Sequence, residues 1–284
     1  MMNHKSKGDS EMISVTDFET TKILVVGFGG IGRSVTENIE ESNLPGVDTV
    51  YIDSGESALI NNETWQQDTF NGAKMLIIVF DASTANEGLA YIATNARKNN
   101  ILVLGMATKS FFFNKDEDKA CSEAISSGMD ALNIVYKDRT IEYQYGEQEL
   151  CQKCSAEDII IKSLRQIILL INDPCVINLE LDDFRTFLKD KRIVHIGHGY
   201  GKGDNKVVNA VRMALDSCPH TPNINTATKI ICVVCGDITL TDASDACESI
   251  RELSGEDNEM IFGARYDESV EDDCSIMVIA TDFI

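Results

Sequence analysis

The residues best suited to chemistry are Gly27-Phe28-Gly29-Gly30-Ile31-Gly32, with the spacing GxGxxG. Glycines let a backbone turn tightly and approach a pyrophosphate, and the N–H groups of a following helix start add hydrogen bonds and a positive dipole end. The run 23–26 before the motif is continuous, β-branched and Leu-containing, and 33–41 after it reads as helix, so strand, Gly-turn and helix follow in the order that phosphate binding requires. The same glycines also suit a merely tight turn. Asp53 closes the next apolar run, where a dinucleotide fold places its ribose acid and where a solvated loop residue is equally natural. Asp158 lies three residues after Ser155 at the head of a long apolar segment, a position that suits a helix-cap acid.

Other reactive side chains have weaker settings. Cys232 and Cys235 fall in the strand-like KIICVVCGDITL, and His195 and His198 in a strand-like stretch punctuated by Gly197, Gly199, Gly201 and Gly203. Positions three apart on a strand point to opposite faces, so neither pair is suited to sharing a metal. Cys151 and Cys154 (CQKC) precede a helix and could face one another, which leaves a redox or zinc role open for that pair. No metal site is expected. No nucleophile, base and acid are placed together by the sequence.

These residues must be positioned by a chain of 284 residues, 43% apolar, which is ample for two domains. Its nine cysteines read as reduced thiols, since size already supplies a core and no secretion signal is present. A formal charge of −21 without a basic stretch excludes nucleic acid as a natural partner. No apolar run is long enough to span a bilayer, so a cytoplasmic address and no direct membrane binding are expected.

Residues 1–19 read as a disordered tail. Strands at 23–26, 49–53, 75–80 and 101–106, separated by helical segments such as 87–98, predict a parallel sheet and an α/β, Rossmann-like nucleotide-binding domain over 20–154. Ser155 caps a helix over 155–172, ended by Pro174 and apolar on too many sides for one stripe, which makes 155–177 a central helix covered from several directions. Strands near 193–196, 229–235, 260–264 and 275–281, with helices over 205–217 and 244–253, make 178–284 a smaller α+β domain.

Two families fit the first half. An NAD-binding Rossmann oxidoreductase or sensor matches it alone, whereas the whole chain from Lys22 resembles FtsZ, the division member of the tubulin superfamily. The FtsZ resemblance is carried, in family order, by GAKMLIIVFDA, ILVLGMATKSFFF, SAEDIIIKSL, CVINLELDDF, HIGHGYGKGDNK, ICVVCGDITLTDASDACESIREL and MVIATDFI.

That resemblance implies a cytoskeletal, cell-division-related assembly protein that binds GTP or GDP and partners itself or an FtsZ-type protein. It makes Gly27, Gly29, Gly30 and Gly32 the first phosphate loop, one residue shorter than usual. It places Asp158 where the family reads guanine, whose N1–H and N2–H donors suit a carboxylate. Asn178, Glu180 and Asp183 fall in the loop that forms the subunit interface, where Glu180 and Asp183 would be the catalytic acids completing a neighbour's GTP site. Glu180 stands where the family has Asp, and one extra methylene displaces the carboxylate.

The departures from the family imply weak nucleotide binding and at most a weak GTPase. The aligned phosphate loop Asp81–Gly88 keeps one glycine, and Asp81 and Glu87 set like charge beside an anionic ligand. The stretch between Ile60 and Gly72 is short. Asn114 and Asp118 replace the ribose-contacting acid and base, and Cys154 stands in for the aromatic that stacks on guanine. The chain ends at Ile284 without the family's tail peptide, so membrane attachment by that route is not expected.

Overall fold

A computed structural model describes residues 20–53, 68–84, 87–138, 141–144, 151–218, 224–254, 258–267 and 272–283. The expected tail over 1–19 and most of the short stretch after Ile60 lie outside the described residues.

Strands β1 (Ile23–Phe28), β2 (Val47–Ile52), β3 (Met75–Asp81), β4 (Leu102–Lys109) and β5 (Ala131–Tyr136) form a parallel sheet. Helices α1 (Gly29–Glu41), α2 (Glu87–Lys98) and α3 (Lys115–Ser126) provide the crossovers. All of β1 and nearly all of β3 and β4 are buried, as strands covered on both faces must be, which explains their unbroken apolar runs. Helix α1 starts four residues before the 33–41 expected, because the second half of the glycine motif is itself the first helical turn.

A separate antiparallel pair, β6 (Ile141–Gln144) and β7 (Cys151–Cys154), leads into helix α4 (Ala156–Asn172). Ser155 accepts a hydrogen bond from Asp158 N–H while Asp158 accepts from Ser155 N–H, a reciprocal cap. Ile160, Leu164, Ile167 and Ile168 on α4 are fully buried. At its far end Asn172 accepts from Thr21 N–H at 2.7 Å and donates to the carbonyls of Thr21 and Pro45. Arg165 donates to Asn38 on α1 and to Ser42, the residue that caps it. Helices α1 and α4 therefore lie side by side and parallel, with both N-termini at one end.

Beyond α4, α5 (Leu181–Leu188) precedes β8 (Arg192–Lys202), which joins the sheet beside β5 over three residue pairs. Helix α6 (Lys206–Ser217), β9 (Ala227–Gly236), α7 (Leu240–Ser254), β10 (Glu259–Tyr266) and β11 (Asp273–Phe283) follow. The result is a nine-stranded sheet in the order β10-β9-β11-β8-β5-β4-β3-β1-β2. Helix α7 begins four residues earlier than the 244–253 expected, because Thr239 and Asp242 exchange side-chain to backbone hydrogen bonds and cap it there.

The alternating Gly197, Gly199 and Gly201 share one face of β8 and let α6 sit directly on the strand: a Cβ at Gly199 would lie 1.7 Å from the Ala210 carbonyl oxygen. The two histidines of β8, His195 and His198, point opposite ways, as their spacing requires. His198 Nε2 lies 2.7 Å from Ser163 Oγ on α4, and His195 packs against the Phe283 ring. Burial pushes His195 down to about 4, and burial followed by the Lys162 charge pushes His198 down to about 3.

Both histidines fold as neutral bases, so below pH 6.5 the unfolded chain takes up protons that the folded chain refuses. Stability should fall as pH drops from about 6.5 toward 4, by roughly 1.4 kcal/mol per pH unit for each histidine. Urea unfolding at pH 6 and pH 5 should show this slope, and His195→Phe should remove about half of it.

Candidate functional site

The GxGxxG glycines have different tasks. Gly27 and Gly32 touch backbone to backbone, and a Cβ on Gly27 would lie 2.2 Å from the Gly32 carbonyl oxygen. Gly29 has φ +67°, a left-handed conformation that side chains strain. Gly30 is exposed, with open space where a Cβ would be. The first turn of α1 contains no acid, and its N-cap Phe28 supplies no side-chain bond. Its amides are thus presented outward beside Gly30, an arrangement that favours an anion. The β1–β2 register pairs Phe28 with Ile52, which sets Asp53 beside the loop.

The head of α4 reaches the same end. Asp158 is exposed, and its Oδ2 already accepts from the amide and the hydroxyl of Ser155. Its neighbour Glu157 turns inward instead and accepts from the Ser34 hydroxyl in the first turns of α1. The carboxylate between the two helix starts is therefore Glu157.

On the other side of the loop, Ala82–Thr84 forms a 3-10 turn, and the Thr84 hydroxyl oxygen lies 3.3 Å from where a Gly29 Cβ would be. Asp81 is not the free like charge that its sequence position suggested. It accepts from Ser83 N–H and Oγ–H, and Lys137 Nζ stands 3.0 Å from both of its oxygens. Burial alone would raise its carboxyl, yet the Ser83 bonds and Lys137 outweigh that and hold it below the usual value. Lys137 also reaches the buried Glu117 at 3.4 Å. The side chain of Glu87 lies outside the described residues. Asn114 caps α3 by accepting from Asp116 and Glu117 N–H, and Asp118 pairs with Lys109, so both are engaged within the fold.

Asn178, Glu180 and Asp183 lie past the opposite end of α4, whose 17 residues span about 25 Å. All three are exposed. Asn178 accepts from Cys175 N–H at 2.9 Å, and Asp183 accepts from Glu180 N–H at 2.9 Å to start α5.

The expectation that Cys151 and Cys154 fold toward one another is corrected. They are the two ends of the extended strand β7, held in register by β6. Cys154 is buried and accepts from Lys162 Nζ at 3.2 Å. Cys232 and Cys235 sit in different core clusters on opposite faces of β9. Among the described residues no group of three or more His, Cys, Asp or Glu is placed to hold a metal ion, and no helix is long and apolar enough to cross a membrane.

Residues 193–284 match the model of the FtsZ family C-terminal domain. The chain is 27% identical to a cell division protein FtsZ from Mycoplasmopsis pulmonis, over 92% of this chain and 77% of that one. The fold matches the empty FtsZ dimer of M. jannaschii with TM-score 0.72 at 18% identity, covering 93% of this chain and 89% of that one. It also matches a GTPγS-bound protofilament of CetZ2 from Haloferax volcanii with TM-score 0.63 at 12% identity, covering 92% and 94%. The chain is thus similar to FtsZ over most of its length and has the fold of FtsZ and CetZ.

Two features of this site escaped the sequence. Glu157 and Asp158 are adjacent acids in one helical turn, and only the partner Ser34 on α1 tells them apart. Lys137 stands 56 residues from Asp81, with no short-range signal to join them. The available hint was the strand order, since the ends of neighbouring parallel strands face one space.

The Asp81 carboxyl is lowered, so its contribution is complete above the ordinary value of 3.8 and is lost as pH falls through the lower folded value. Lys137→Met should strand Glu117 and Asp81 and lower stability at pH 7 by about 2 kcal/mol, discounted for partial exposure of the pair. The deficit should shrink as pH falls through the lowered folded value of Asp81, below 3.8. Urea titrations of both proteins at pH 7 and pH 3.5 check this.

Proposed function

We propose that this chain is a cytoskeletal, cell-division-related assembly protein that stacks head to tail, on copies of itself or on an FtsZ-type partner. It binds GTP or GDP weakly at the glycine-loop end and hydrolyses GTP poorly or not at all. The observation that carries the reading is α4, which holds an anion-favouring end and an exposed loop about 25 Å apart. Contact between two unlike faces is heterologous and propagates unless it closes a ring. Relatives of this fold are described as an FtsZ dimer and a CetZ2 protofilament, which supports the stacking.

Under this reading Gly27, Gly29, Gly30 and Gly32 form the phosphate loop, with Asp53, Asp158 and Glu157 near the nucleoside. Asn178, Glu180 and Asp183 meet the next subunit, the last two as weak catalytic acids. Residues 20–154 serve as the nucleotide-binding unit, 155–177 as the connecting helix and 178–284 as the C-terminal unit. Weak binding follows from spent donors: the Ser83 amide is given to Asp81 rather than left for a terminal phosphate. No observation favours the oxidoreductase alternative.

Calorimetry should give GDP an affinity equal to or above that of GTP, and a clear preference for NADH would return the chain to the Rossmann enzymes. Phosphate release from GTP should stay near background, against about 1 per second or faster for ordinary enzymes. Asp183→Lys should abolish pelleting and filaments in electron micrographs while the protein stays folded, with a melting temperature lowered only by the loss of the Glu180 cap, about 1 kcal/mol. A wild type that stays monomeric at every salt concentration, or a mutant that assembles equally well, contradicts the stacking.

A further inference from the structure

Helix α7 turns Ala243, Ala246, Cys247 and Ile250 inward, onto the face of β9 that carries Ile230, Cys232 and Val234. Two thiols meet where the helix crosses the strand: Cys232 and Cys247 are hydrogen-bonded to one another. Their settings differ. Cys232 is fully buried in mid-strand, in register with Phe262 on β10 and Val278 on β11. Cys247 is 8% exposed at the margin of the inward face, beside the exposed Ser244, Glu248 and Arg251.

That asymmetry decides which sulfur ionises. The hydrogen bond from Cys232 holds the Cys247 thiol below its usual value; burial opposes this, and the Arg251 charge adds to it. Cys232 is pushed well above its usual value by the same bond and by burial. A sulfur that a small solute can reach thus sits against a protonated thiol. The neighbouring cysteines are poorly placed to compete. Cys274 is level with Gly236, four residues along the sheet from Val278, the partner of Cys232. That is a displacement of about 13 Å, against the Cα separation of about 7 Å that a disulfide tolerates. Cys235 lies on the opposite face of β9. Among the described residues no third His, Cys, Asp or Glu joins the pair to hold a metal ion, so its chemistry is that of two thiols.

We propose that Cys247 and Cys232 form a reversible, peroxide-sensitive thiol–disulfide site that ties α7 to β9. The Cys247 thiolate attacks one oxygen of hydrogen peroxide, the O–O bond breaks, hydroxide leaves, and Cys247 becomes a sulfenic acid. The Cys232 sulfur then attacks the Cys247 sulfur and passes its proton to the departing hydroxyl, so the S–O bond breaks, water leaves and the S–S bond forms. Two thiols are oxidised while one peroxide is reduced to two waters, and a dithiol reductant reverses the bond. The site draws on neither the glycine loop nor the end surfaces, so it stands whether or not the chain assembles.

The test treats the reduced full chain with hydrogen peroxide, blocks the remaining thiols and maps the peptides without reductant, while circular dichroism confirms that the protein stays folded. A Cys232–Cys247 disulfide that dithiothreitol reverses should form before any other cysteine is modified. In Cys232→Ser the sulfenic acid has no resolving thiol, so dimedone should label Cys247 about tenfold more strongly than in the wild type. The wild-type map needs no substitution and decides the matter even where a variant unfolds. Oxidation spread over the nine cysteines, a first disulfide between other partners, or a Cys247 that stays reduced in the folded protein overturns the site.

Discussion

Helix α4 is apolar on more sides than a surface helix can hide, and the molecule is arranged around burying it. Strands β1, β3 and β4 cover it with Val25, Ile77 and Leu104, and β8, β9 and β11 with Ile196, Ile231 and Met277, all in one continuous core cluster. Its buried polar contacts are placed where they fix position: Ser163 against His198 in the middle, Asn172 against Thr21 and Pro45 at the end. A side chain lost there leaves a buried partner unsatisfied, which costs more than the bond itself contributes. Because α4 is fixed along its length, the Ser155 end is held beside the glycine loop and the loop after Asn172 is held at the far end. Two separated surfaces follow from one buried rod.

The two sides of the loop end have different chemistry. Around Gly30 the backbone is open and the first turn of α1 keeps its amides free of acidic side chains. Across the sheet, Asp81, Ser83, Lys137, Glu117 and Ser110 satisfy one another. A network with all its members paired is rigid and has little to offer an incoming phosphate. The same network steadies the turn that carries Phe111. Groups that could meet a ligand in a freer loop are instead spent on one another and on the turn that carries Phe111.

The parts of this arrangement that were legible in the sequence are those with local causes. Strand 23–26 followed by the glycine motif, and the Ser155-capped helix ended by Pro174, are written in continuous short segments, and the structure has both. The starts of α1 and α7 were placed late because a glycine turn and a Thr239–Asp242 cap belong to the helix rather than to the loop before it. That Cys151 and Cys154 are the ends of a strand was not legible, because the strand exists only through pairing with β6, a cause outside the segment. Asp81 was read as a free charge for the same reason, its partner being distant in sequence. The run of phenylalanines was visible, but its exposure was not, since apolar residues after a buried strand ordinarily continue into the core.

We propose that this chain assembles through end surfaces that do not depend on a bound nucleotide. The most direct measurement is the critical concentration for assembly of nucleotide-free protein, by sedimentation, compared with the same protein in saturating GTP. The account predicts values equal within about twofold and polymers that persist without turnover. Assembly only in the presence of GTP, followed by disassembly as GTP is consumed, would contradict it.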